Sequence, residues 1–301
     1  MDIKMTTINE FILNEIFVIP ELSEYKDMLN VFLTGSRASG GHTDKSDIDL
    51  DIICTQDIYA KIQENFFRNG KTKSIKASFY SLADIDYRAY FGDIGTLHFS
   101  ITQQEKILTK LMNFDEVHMW IWSNAKLIID NGISSVFNEK LFNFPQDILV
   151  DKLKRYYMDY HYYIIDAYPN NDTSNYMKHV AVYSIYSALL SIYRFSFLAE
   201  KQPFPYTEKL VTHIKTTKLY KEFSDVFKEI YGLLENISGE DAWGKIEKCR
   251  GMLCYDDVYE CSDRLREFMD KALLEAGCEK EWVDAGYDNI NDYLLSSSNR
   301  V

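Results

Sequence analysis

Gly35-Ser36-Arg37-Ala38-Ser39-Gly40-Gly41-His42-Thr43-Asp44-Lys45-Ser46-Asp47-Ile48-Asp49 is the segment on which the reading of this 301-residue chain turns. The short apolar run Val31 to Gly35 delivers the chain to it and ends in glycine, as a buried strand does. At Gly35 the missing Cβ lets backbone amides approach an anion, and Ser36 adds a hydroxyl, so the pair makes a phosphate cradle. The run Ile48 to Cys54 alternates apolar and acidic residues with period two, the pattern of a half-buried strand. On such a strand Asp47 and Asp49 point to one face, where two carboxylates can share a hard divalent cation, Mg²⁺ above all. Asp51 continues the same face, and a purely structural role suits it better.

Donors for a triphosphate beside a metal clamp are what nucleotidyl transfer requires. No Walker loop is present. The order strand, Gly-Ser, short loop, Asp-x-Asp on the next strand closely resembles the DNA polymerase β-like nucleotidyltransferase superfamily, and the Ser46-Asp47-Ile48-Asp49 ending strengthens the likeness. The resemblance implies that Gly35, Ser36, Arg37 and Ser46 bind the nucleotide, with ATP as co-substrate, and that Asp47 and Asp49 are catalytic Mg²⁺ ligands. It also implies a third acidic group on a later strand, and here the sequence departs from it. The strand Gly95 to Thr102 carries His98 in its middle, with Thr96 and Ser100 on its face, and no carboxylate. A histidine near neutrality can serve as general base, so His98 is a candidate catalytic residue, with Asp93, Asp86 and Glu105 as competitors.

Working outward, further strands are read at Ser74 to Leu82 and Gly95 to Thr102, and helices at Ile8 to Val18 and Gln56 to Arg68. Gln103 to Asn131 reads as one or two helices, and from about residue 145 nearly everything has helical periodicity. The expected fold is α+β: a catalytic domain over 1–144 with a small mixed sheet flanked by helices, then a helical bundle over 145–301 that binds substrate, with the active site between them. The helical part looks like that of bacterial antibiotic nucleotidyltransferases modifying aminoglycosides and lincosamides. That resemblance matches Lys209, after the turn Pro203-Phe204-Pro205, to a lysine that meets nucleotide phosphates. The helix from Asp151 to Asp166 is rich in tyrosine and carboxylates, of which Asp159, Tyr160 and Asp166 could hold a cationic, hydroxyl-rich ligand.

Composition bounds the partners. Lysine and arginine number 33 against 46 acidic residues, a net charge of −13, which repels nucleic acid and draws cationic small molecules. The N-terminus lacks the pattern of a signal peptide, and no apolar run approaches the ~18 residues of a membrane span. Five cysteines without a CxxC pair fit a reducing cytoplasm. The expectation is therefore a cytoplasmic, Mg²⁺-dependent enzyme that moves AMP from ATP to a hydroxyl of a small, cationic acceptor. Adenylylation of a protein and a catalytically silent nucleotide-binding member of the fold are the alternatives.

Overall fold

The computed structural model describes residues 5–43, 46–69, 76–81, 84–91, 95–137, 139–167, 174–235, 237, 241–253 and 260–289. The chain divides into two compact units, Met1–Asn143 and Phe144–Val301. In the first, α1 (Met5–Phe11), a π turn (Ile12–Ile16) and α2 (Pro20–Ser23) lead into β1 (Asn30–Thr34) and the short helix α3 (Gly35–Ser39). There follow β2 (Ile48–Cys54), α4 (Gln56–Asn69), β3 (Lys76–Ser81), β4 (Asp84–Phe91) and β5 (Gly95–Gln103). The unit continues with α5 (Gln104–Met112), α6 (Glu116–Asn124) and β6 (Lys126–Ile129).

The six strands form one mixed sheet in the order β3-β4-β5-β2-β1-β6. Strand β2 pairs antiparallel with β1 and parallel with β5, while the β4–β5 and β1–β6 pairs are antiparallel. This is the expected α+β class with a mixed sheet. Two strands escaped the sequence reading. The sequence pattern marks no element at Asp84–Phe91 and includes Lys126–Ile129 in a helical stretch, whereas both are strands. Four residues after a helix carry too short a pattern to reveal period two, and pairing to β1 decides their state. The N-terminal helix is shorter than expected, breaking into the π turn at Ile12.

Alternation along the central strands sorts the two faces. Val31, Leu33, Ile48, Leu50, Ile52, Leu97, Phe99 and Ile101 face a core closed by Ile12, Ile16, Leu22, Ile58 and Ile62, all buried. At roughly 1.5 to 3 kcal/mol per fully buried aliphatic side chain, this layer anchors the sheet. Among the described side chains, the opposite face is apolar at one end, where Phe32 meets the Trp122 ring edge-on at 5.4 Å and Phe137 at 5.9 Å. Beyond Phe32 that face turns polar: Thr34 stands opposite Asp49, and β5 brings His98 beside Asp49 and Ser100 beside Asp51.

The second unit is helical: α7 (Gln146–Asp166), α8 (Asn175–Ala199), α9 (Thr207–His213), α10 (Lys218–Glu235), α11 (Ala242–Leu253), α12 (Glu260–Ala276) and α13 (Lys280–Ala285). Leu219, Phe223, Phe227, Ile230 and Leu234 form the buried stripe of α10 at spacings of three and four. Helix α8 corrects one expectation, because Tyr176–Ala199 is long and apolar enough to cross a membrane by length and composition. Its 67% burial within the protein accounts for that composition, as expected of a core helix. Ile185, Leu189, Ile192, Tyr193 and Phe195 are all buried.

Candidate active site

The site is built from the end of β1, helix α3, the following loop and the facing residues of β2 and β5. Gly35 opens α3 with φ +66°, a left-handed conformation that side chains beyond glycine rarely adopt. A Cβ placed there would lie 2.0 Å from Asp49 Oδ2, so the Asp49 carboxylate occupies the space glycine leaves. The β2 carboxylate and the backbone that opens α3 are thereby held face to face. Gly35→Ala should lower stability by about 1–3 kcal/mol through that strained backbone and displace Asp49; chemical denaturation of the two proteins side by side measures it.

Arg37 and Ser46 give the intervening loop its shape. The Arg37 guanidinium donates to the Ser46 carbonyl at 2.8 Å and 3.2 Å and to the Asp47 carbonyl at 3.2 Å. The Ser46 hydroxyl accepts from the Thr43 amide at 2.9 Å. Arg37 thus pins the backbone of Asp47 one residue before β2 begins. Ser36 follows Gly35 in α3, and its carbonyl accepts from the Ser39 hydroxyl at 3.4 Å.

On the strands, His98 Nδ1 lies 3.5 Å from Asp49 Oδ1, with both side chains about one-third exposed (31% and 33%). One residue pair further along, Asp51 accepts from Thr34 Oγ1 at 2.8 Å and from Ser100 Oγ in a shorter contact, so each carboxylate oxygen has a hydroxyl. Burial lifts its carboxyl above the usual range, against the pull of Ser100 and Thr34, and the charge of Asp49 adds to the rise. Asp51 therefore braces β1, β2 and β5 beneath the site, a role that the sequence reading favoured but whose partners it did not name.

Among the competitors for the third position, Asp93 lies outside the described residues. Asp86 has a described backbone only, opposite Ser100 in β4, and its side chain lies outside them. Glu105 stands at the other end of β2, where it adds to the burial that pushes the Cys54 thiol up to about 12. Five residues at about 3.3 Å each separate Cys54 from Asp49 along the strand, far beyond direct contact. Lys209 belongs to the second unit, on α9, where its charge together with burial holds the His213 imidazole low. Among the described residues no group of three or more His, Cys, Asp or Glu side chains converges as a metal cluster.

No protein-family model and no curated protein sequence matches the chain. Among solved structures it is similar to a nucleotidyltransferase-like protein from Exiguobacterium sibiricum 255-15, with 12% identity, 98% of this chain and 92% of that one covered, and a TM-score of 0.39. It is also similar to an aminoglycoside 6-adenyltransferase from Bacillus subtilis, with 12% identity, coverage of 92% and 97%, and a TM-score of 0.32. At these values the likeness carries nothing about activity, which has to come from the site itself.

In the helical unit, Tyr160 is buried and its hydroxyl donates to the Leu253 carbonyl, so it serves packing rather than a ligand. Asp159 sits 3.9 Å from Arg155 Nε, and the side chain of Asp166 lies outside the described residues. The sequence reading missed one polar cluster there. The Tyr157 hydroxyl donates to Asp270 at 3.0 Å, Arg266 Nε donates to the same carboxylate at 3.3 Å, and the buried His161 ring lies 4.5 Å from that of Tyr157. These groups come from α7 and α12, more than a hundred residues apart, so no local spacing announces them.

Proposed function

We propose that this chain is a metal-dependent nucleotidyltransferase that moves AMP from ATP to a hydroxyl of a small, cationic acceptor of the aminoglycoside or lincosamide kind. The observation that supports the reading is the Asp49 carboxylate laid against the Gly35 backbone that opens α3, a carboxylate beside a glycine turn. Gly35 and Ser36 hold the triphosphate, while Arg37 and Ser46 keep the loop in shape around it. Asp47 and Asp49 hold the divalent cation, Mg²⁺ in the first instance. Two carboxylates suit it, because Mg²⁺ keeps several waters and takes the rest of its shell from substrate phosphates. When bound, the cation neutralises charge on the attacked phosphorus and on the departing pyrophosphate.

The acceptor class is supported by the net charge of −13, which concentrates cations around the protein. Incubation of the purified chain with ATP labelled on the α-phosphate, Mg²⁺ and a panel of aminoglycosides, lincosamides and candidate proteins is the test. Label on a cationic small molecule is the expected result. Label on a protein would replace the acceptor, and tight ATP binding without any labelled product would make the chain a binding module.

A further inference from the structure

Charge is unevenly distributed along the helical unit. From Lys201 to Lys221 the sequence holds five lysines and a single carboxylate, Glu208, a net charge of +4 against −17 for the rest of the chain. The segment follows α8, carries α9 and a 3₁₀ turn (Ile214–Thr216), and opens α10. Its base is fixed. Phe204 is buried and meets the Tyr156 ring edge-on at 5.6 Å, Leu210, Ile214 and Leu219 are buried, and Glu200 accepts from the Lys218 amide at 2.7 Å, which ties the end of α8 to the start of α10. On that base Lys201, Lys215, Lys218 and Lys221 are exposed and Lys209 is half-buried.

Elsewhere in the helical unit Lys154, Lys228, Lys248, Lys271 and Lys280 each lie 2.6 to 3.8 Å from a carboxylate oxygen. The five lysines between 201 and 221 have no such partner among the described residues. The carboxylates that flank them are engaged, Glu200 on the Lys218 amide and Glu222 on Arg264 at 3.2 Å. Uncompensated like charges on a rigid corner repel one another, and an anionic partner relieves that repulsion.

We propose that the corner made by α9, the turn and the start of α10 docks an acidic segment of another protein, one that carries apolar side chains among its carboxylates. The lysines supply the charge complement and steer the encounter. Tyr206, which precedes α9, and Val211 within it are 37% and 41% exposed and supply the apolar contact. A nucleic acid strand fits less well, because its phosphates would run on from the corner over a chain whose remainder is strongly acidic. A free phosphate would leave Tyr206 and Val211 unused.

Fluorescence anisotropy of a short labelled glutamate-rich peptide containing leucine, titrated with the full chain, tests the assignment. The peptide should bind at low salt. Raising the ionic strength from about 0.01 M to about 0.15 M shortens the screening length from about 30 Å to about 8 Å and should weaken binding at least about tenfold. The double variant Lys215→Glu, Lys218→Glu should weaken it by about tenfold or more, whereas Lys228→Glu with Lys280→Glu, an equal change of net charge at lysines already paired, should change it by less than about twofold. No binding by the native chain at low salt overturns the proposal without recourse to any variant. Equal losses in the two double variants overturn it too, since they place the effect in the overall field. Equally tight binding of tripolyphosphate, or of the peptide with serine in place of leucine, overturns the assignment to a protein segment, and tighter binding of a single-stranded RNA of the same length assigns the corner to nucleic acid. Displacement of the peptide by ATP with Mg²⁺ overturns it in favour of nucleotide binding by the same lysines.

Discussion

If the proposed reading holds, Asp49→Asn should abolish AMP transfer while leaving the protein as stable as before. Several kcal/mol of transition-state stabilisation come from a bound cation, and losing its ligand corresponds to a fall of about a thousandfold or more in turnover. Single-turnover measurement with labelled ATP reads that fall, and transfer at more than a tenth of the native rate would remove Asp49 from the site. Asparagine has the same shape, and the replaced side chain is one-third exposed, so packing is preserved. The substitution also removes a charge that raises the Asp51 carboxyl, so the melting temperature should hold or rise slightly. Two residues further on the outcome inverts. Asp51→Ala deprives the Thr34 and Ser100 hydroxyls of their acceptor and should lower stability by about 1–3 kcal/mol. On the proposed reading, neighbouring carboxylates on one strand face separate into one that acts, Asp49, and one that braces, Asp51.

Acid should unfold the helical unit from the His161 cluster. Burial, with a contribution from Arg266, holds the His161 imidazole down at about 3, against 6.5 for a free histidine. Below pH 6.5 the unfolded chain takes up a proton that the folded chain refuses, so folding stability falls as pH falls through the window from 6.5 to 3. The slope from this one group is about 1.4 kcal/mol per pH unit. Asp51 and Asp270, both raised chiefly by burial, work in the opposite sense: their contribution is lost as pH rises through their folded values. The acid slope therefore flattens as those carboxyls protonate. Denaturant midpoints at pH 7, 6, 5 and 4 for the native chain and for His161→Phe measure the effect. A native slope equal to that of His161→Phe would show that the ring is protonated in the folded state at no cost.

Both results concern residues of opposite legibility. Asp47 and Asp49 stand out as candidates because the features that mark them are local: a glycine after an apolar run, then acids alternating with Ile48 and Leu50; the structure puts Asp49 on β2 and leaves Asp47 one residue before it. The same local periodicity located β2, β5 and α4 and sufficed for the α+β class. It also marked the region of α8 as helical, and only the length of its apolar stretch was underestimated.

Local pattern alone places β2 and the glycine turn at Gly35, because period two and the lack of a Cβ act within a few residues, and it marks Asp47 and Asp49 as candidates. Tertiary structure decided who stands beside whom. His98 lies forty-nine residues from Asp49 in the chain and meets it only because β2 and β5 pair in parallel at one register, and a slip by a single residue would turn His98 to the apolar face. The same pairing brings Ser100 to Asp51, and the antiparallel β1 brings Thr34. Cross-strand register depends on how the whole buried face of the sheet fits its core, a sum over distant side chains that no window of sequence contains.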